Sequence, residues 1–209
     1  MFAVSAGSYI FQTVSSGESP QLKPDGSRLP SREALWRQLY RSRKVLLIYG
    51  TGDPESAPGY RQLAEEMEER SRWIRIEPVA DRDLSGDSLP PLPTLVIGIP
   101  RSNAFLARWS DVLPFRFGEK GFAFHGQVYA DSTDLFSLVY PHPEHPQYPL
   151  MVVSGNDDRR VQAYLRSHGG IWGIPGDYRI LRGETCMVMG FFSQQPERRW
   201  QFDAAAHRD

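Results

Sequence analysis

The polar groups of this chain that could do chemistry gather where an apolar run of strand length breaks into a turn. Lys44-Val-Leu-Leu-Ile-Tyr49 is followed by Gly50-Thr-Gly-Asp53, which offers Thr51 and Asp53. Thr94-Leu-Val-Ile97 is followed by Gly98-Ile-Pro-Arg-Ser-Asn103, which places a guanidinium, a hydroxyl and an amide at Arg101, Ser102 and Asn103. Leu150-Met-Val-Val153 leads into Ser154-Gly-Asn-Asp157, with Asn156 and Asp157. Ligands of open α/β sheets sit beyond the carboxyl ends of the strands, so these seven residues are the candidate ligand-binding set. Free N–H groups at the following helices favour an anion there. The competing reading is that Ser102 or Asn103 only caps its helix while Arg101 is solvated. Gly50-Thr-Gly-Asp53 is half of a dinucleotide fingerprint, but the third glycine would fall at Glu55, and Asp53 and Glu55 would repel a pyrophosphate. That turn reads as a structural anchor, which leaves the Arg101-Ser-Asn103 junction as the better site.

Two further motifs carry reactive residue types, and each has a plainer reading. Pro141-His-Pro-Glu-His-Pro146 offers His142 and His145 as metal candidates. Its prolines forbid a helical face, the sequence places no third ligand, and a stiff strand-to-strand connection is the plainer reading. No metal and no cofactor is therefore expected. Gly86-Asp-Ser-Leu89 resembles the signature of the GDSL esterases, with Ser154-Gly-Asn-Asp157 and Asp203…His207 available as the remaining blocks. In that family the nucleophile follows a buried strand near the start of the domain. Ser88 instead stands in a loop just before Pro90-Pro91, and the other two spacings are each off by one residue. No Gly-x-Ser-x-Gly elbow exists, so no catalytic residue is assigned.

The elements that must position these groups follow from periodicity and punctuation. Residues 2–14 are β-prone, and a Ser/Gly/Pro-rich linker runs to residue 28. A chain opening this way reads as a piece of something larger. The expected α/β domain spans 29–192, and residues 193–209 read as a loose tail. Helices are expected over about 31–42, 58–71, 103–109 and 157–168, the second exposing Glu65, Glu66, Glu68 and Glu69. Strands are expected at 45–49, 73–77, 94–97, 135–140, 150–153, 178–181 and 185–189, with an aromatic hairpin or meander at 115–129. Together these predict a Rossmann/flavodoxin-like, mostly parallel sheet with helices on both faces and an antiparallel hairpin insertion. Cys186, the single cysteine, excludes an internal disulfide and reads as a small buried hydrophobe.

Composition supports an ordinary globular core, with 40% hydrophobic and 23% charged residues in 209. A formal charge of −1 gives no general pull toward nucleic acid or anionic lipid. No window reaches the roughly 18 apolar residues of a membrane span. The first residues lack a basic n-region and a continuous apolar stretch, so the chain itself names no compartment.

Three blocks resemble a Rossmann-like domain of bacterial prolyl-oligopeptidase-like peptidases and esterases, where it accompanies an α/β-hydrolase catalytic domain. They are Leu29-Pro-Ser-Arg-Glu-Ala-Leu-Trp36 with Lys44-Val-Leu-Leu-Ile-Tyr-Gly-Thr-Gly52; Gly98-Ile-Pro-Arg-Ser-Asn-Ala-Phe-Leu-Ala-Arg108 with Leu113-Pro-Phe-Arg-Phe117; and Phe136-Ser-Leu-Val-Tyr-Pro-His-Pro143 with Tyr148-Pro-Leu-Met-Val-Val-Ser-Gly155. In that family the Ser nucleophile belongs to the neighbouring domain. The resemblance therefore implies a non-catalytic accessory domain whose partner is a hydrolase domain or another protein chain, a homo-oligomer included. It also suggests a secreted or periplasmic setting. The expected docking patch is residues 2–14 with the 115–129 hairpin. The alternative, from a different class, is a binder of a small anion, sugar or nucleotide, or an enzyme, using the sheet edge. Nucleic-acid binding ranks third because no basic stripe is visible.

Overall fold

The computed structural model describes residues 29–84, 88–168 and 176–208. The β-prone segment 2–14, the linker to residue 28, and Gly86 and Asp87 of the Gly-Asp-Ser-Leu motif lie outside the described residues.

Helix α1 (Arg32–Ser42) starts where the Ser31 hydroxyl accepts the Ala34 N–H, and it stops at Arg43 in a left-handed conformation. Strand β1 (Lys44–Tyr49) leads to α2 (Ala57–Arg70), which carries Pro58 in its first turn. Helix α2 buries Tyr60, Leu63, Ala64 and Met67 and leaves Glu65, Glu68 and Glu69 exposed. Strand β2 (Arg75–Ala80) ends in a short 3-10 turn, Asp81–Asp83. Then come β3 (Thr94–Ile97), α3 (Ala104–Trp109), β4 (Phe115–Gly118), β5 (Gly121–Phe124) and β6 (Gln127–Tyr129). The chain continues through β7 (Asp134–Pro141), β8 (Pro149–Gly155), α4 (Asp158–His168), β9 (Tyr178–Arg182), β10 (Thr185–Phe192) and β11 (Phe202–Arg208).

The main sheet is mixed, in the order β11-β10-β9-β7-β8-β3-β1-β2. Its core β8-β3-β1-β2 is parallel, as the strand–turn–helix junctions imply, but the sheet is not mostly parallel as expected, because β7, β9, β10 and β11 extend it by antiparallel pairing. The aromatic segment 115–129 forms a separate three-stranded antiparallel sheet. Successive β1 residues alternate between two cores. Leu46 and Ile48 join α3 and the small sheet, whereas Val45, Leu47 and Tyr49 join α2 and α4. The small sheet is fastened by Phe115, which stacks on Phe136 of β7 at 3.8 Å and 4°.

Strand β2 is an edge, and it begins two residues later than its sequence suggests, after an exposed Trp73. The Arg75 N–H donates to the Arg43 carbonyl, so 75, 77 and 79 turn their backbone groups toward β1 and Pro78 faces away. The missing Pro78 N–H therefore breaks no ladder bond and blunts the edge against strand addition.

Two further expectations are corrected. The expected loose tail, 193–209, is ordered over 193–208, because β11 pairs with β10 and Trp200 is only 1% exposed. The Trp200 indole N–H donates to the Pro30 carbonyl at 2.7 Å, and its ring packs on Tyr140 and Phe192. Cys186 is exposed and not buried, since the β9–β10 register shifts between Cys186 and Val188. Trp200→Ala is expected to cost about 3–5 kcal/mol by chemical denaturation. A loss below about 0.5 kcal/mol would instead match a dispensable tail.

Candidate functional site

Because β1, β3 and β8 are parallel neighbours, their carboxyl ends bring the loops 50–56, 98–103 and 155–157 to one edge. The first two loops lie directly on each other. The Gly52 N–H donates to the Ser102 carbonyl at 2.8 Å, and a Cβ on Gly50 would lie 2.5 Å from that same oxygen. Gly98 has φ +133°, a backbone region that L side chains rarely adopt. The glycines of this edge thus serve the close approach of two loops to each other.

Two buried carboxylates organise the junction, and neither Asp81 nor Asp158 is marked by the turn motifs. Asp81, 5% exposed, accepts the Thr51 N–H (2.9 Å), the Thr51 hydroxyl and the Ala104 N–H (2.8 Å). It joins the end of β2 to the β1 loop and to the start of α3. Asp158, 3% exposed, accepts the Tyr60 and Ser102 hydroxyls on Oδ1, each at 2.7 Å. It joins α4 to α2 and to the β3 loop. Burial first and the Asp158 charge second push the Tyr60 hydroxyl far above its ordinary pKa, so it stays a donor. Asp158 Oδ2 is buried without a hydrogen bond, and the Arg101 guanidinium stands 3.9 Å away.

Each candidate ligand residue now has a place. Thr51 is spent on Asp81. The Ser102 hydroxyl donates to Asp158 and accepts the Ile99 N–H at 3.1 Å, so its proton meets a carboxylate and not an imidazole. Asn103, fully buried, caps α3 through Oδ1 to the Phe105 and Leu106 N–H groups. Its Nδ2 donates to the Ile97 carbonyl (3.0 Å) and, more distantly, to that of Ile48 (3.4 Å). Asn156 donates to the Tyr129 and Asp131 carbonyls, tying the end of β8 to the small sheet. Asp157 accepts the Arg160 N–H at 3.0 Å, in the manner of a helix cap. Asp53 accepts the Glu55 N–H and lies 3.7 Å from Arg101. The Arg101 side chain is 74% exposed, with carboxylates on two sides.

The Pro-His-Pro-Glu-His-Pro turn works as a clasp. His142 is fully buried, and its Nδ1 accepts the N–H groups of Glu144 (3.1 Å) and His145 (3.2 Å), which puts the ring proton on Nε2. Neither nitrogen then offers a lone pair to a metal. Glu144 and His145 both grip the backbone of Leu89, just ahead of β3. Among the described residues no group of three or more His, Cys, Asp or Glu is placed to hold a metal ion. Ser88 sits beside this clasp, whereas His207 lies on β11 near the Tyr178 hydroxyl, three strand positions beyond β7.

If the carboxylates are structural and Arg101 is not, the variants must separate. Asp81→Ala and Asp158→Ala are expected to lose about 2–4 kcal/mol each, since buried donors are left unsatisfied. Arg101→Ala is expected to stay within about 0.5 kcal/mol in the same urea titrations. A second expectation concerns pH. Burial, and then the His145 charge, push His142 down to about 3. The native ring stays neutral while the unfolded one takes a proton below about 6.5. This contribution is complete above that pH and is lost as pH falls toward 3, at up to about 1.4 kcal/mol per unit. His142→Asn keeps an acceptor for the two N–H groups without the titration. Its stability should fall less steeply than wild type between about pH 6 and 4, and equal slopes would refute the assignment.

Neither a family model nor a curated protein matches this chain, so the reading of the edge rests on its geometry.

Proposed function

We propose that this chain is a non-catalytic accessory domain of Rossmann-like type that associates with a bacterial hydrolase. The observation that carries this reading is the inward turn of the sheet-edge loops. Thr51, Ser102 and Asn103, the groups an α/β enzyme would aim at a substrate, are buried and bonded to Asp81, Asp158 and the strand ends. The blocks that resemble the accessory domain fall on α1–β1, on the β3 loop with α3 and β4, and on the β7–β8 pair with its clasp. Those are the parts that lock the sheet together. The reading keeps its partner open between a hydrolase domain and another chain.

A second reading is favoured by one observation. Arg101 is exposed beside a buried Asp158 oxygen that takes no hydrogen bond, which suits a small ligand presenting both an acceptor and a donor.

The deciding experiment pairs the purified chain with the hydrolase encoded beside it or fused to it. Complex formation is expected, with a changed kcat/KM of the hydrolase, and no ester or peptide turnover by the chain alone. Turnover by the isolated chain that disappears in Ser88→Ala would overturn the proposal. A thermal shift with phosphates or sugars that is lost in Arg101→Ala would move the assignment to the second reading.

A further inference from the structure

We infer that the groove under Trp73 is the face on which a partner protein docks, through a segment whose aliphatic side chains are flanked by Asp or Glu. This rests on the reading of the chain as an interaction domain and specifies the surface used.

Trp73 is 92% exposed, the largest exposure among the big apolar side chains described. It stands at the mouth of a groove of about 300 Å³ between α2, β2 and α4, floored by Leu63, Met67, Ile74, Ile76 and Leu165. An indole left in water beside an apolar hollow is unfavourable for the free chain and favourable once covered, since tryptophan brings 150–250 Å² of buriable surface. The turn that presents it is braced. The Ser71 hydroxyl donates to the Ile74 carbonyl, the Ser71 N–H to the Glu68 carbonyl, and the Arg75 N–H to the Arg43 carbonyl. The backbone that carries Trp73 is thus fixed before any partner arrives, which lowers the ordering cost of binding.

Charge selects the occupant. The rim carries Arg70 and Arg72, and the adjoining ends of β1 and β2 carry Lys44 and Arg75. Lys44 and Arg75 are both spent on Glu77, and Glu68 and Glu69 of α2 lie outside the groove's lining. Within that lining two cations, Arg70 and Arg72, stand against one carboxylate, Glu66, which Arg70 and Gln62 engage. The groove itself therefore carries one positive charge in excess, at Arg72, so an acidic flank is attracted there and a basic one rejected. Pro78 removes a backbone donor from the free edge of β2, so the groove receives side chains and not an added strand.

The test uses the full chain with its neighbouring hydrolase, read by calorimetry and by tryptophan fluorescence. Trp73→Ala is expected to weaken binding by about tenfold or more, and Arg72→Glu to weaken it while Arg72→Lys restores it. Rising salt should weaken the wild type more than Arg72→Glu. Undiminished binding by Trp73→Ala and Arg72→Glu would overturn the groove while leaving the hydrolase association intact. If the hydrolase does not bind at all, the association falls, and the groove is judged with a synthetic peptide of Leu flanked by Glu against its Lys-flanked counterpart. A blue shift of tryptophan fluorescence with the Glu peptide alone, lost in Trp73→Phe, supports the groove, and equal or absent responses refute it. A self-dimer abolished by Trp73→Ala would assign the face to a second copy and overturn the proposal of a foreign partner.

Discussion

A carboxylate taken out of water must find donors, and Asp158 finds them on a helix and a loop at once. Tyr60 reaches it from α2 and Ser102 from the β3 loop, while Asp158 itself opens α4. Asp81 does the same for the β1 loop and α3. Buried polar groups unmet by partners cost on the order of 1–3 kcal/mol each, so helices and strands cannot shift independently at this edge. The parallel core is therefore fixed by hydrogen bonds to two acids as well as by its apolar faces. Gly50 and Gly52 permit the loop contact that brings Thr51 within reach of Asp81.

That closure redirects where function can lie. In an open α/β sheet the carboxyl edge is where ligands enter. Here the edge closes on itself, with Arg101 and Glu55 among the charged groups left facing outward. The opposite end of β1 and β2, where ligands of such sheets do not usually sit, carries Trp73 and the groove between α2 and α4. One end is closed by polar groups bonded to each other, and the other is open and apolar.

How much of this was legible follows from the range of each contact. The strands β1, β3, β7 and β8, the α2 stripe and the Asn103 cap all depend on neighbours within a few residues, and periodicity and turn chemistry expose them. The hubs do not. Asp158 sits 98 residues from Tyr60 and 56 from Ser102, so in the sequence it reads only as an acid in the first turn of a helix. Trp200 is anchored 170 residues away at Pro30, and nothing in a Gln- and Arg-rich tail advertises that contact. The apolar run around Cys186 reads as buried, and a bulge that such a run does not reveal accompanies its outward turn. The His142 clasp lay between, its prolines marking a rigid turn but not the Leu89 segment it holds.

The four best-buried acids are compensated in two different ways. On the antiparallel side, Asp134 is held by the Arg182 fork at 2.8 and 3.0 Å, and Asp177 by the Arg32 guanidinium together with the Phe192 N–H. Burial pushes the Asp177 carboxyl up, and the Arg32 fork and that N–H work against it. Charge-assisted forks of this kind fix geometry as well as energy. On the parallel side, Asp81 and Asp158 receive neutral hydroxyl and amide donors, and the guanidinium beside Asp158 is the exposed Arg101 at 3.9 Å. Asp158 Oδ2 is consequently the least compensated oxygen of the set. Loss of the Arg101 charge would leave that oxygen with neither a hydrogen bond nor a guanidinium beside it, a deficit that Asp134 and Asp177 avoid through their forks.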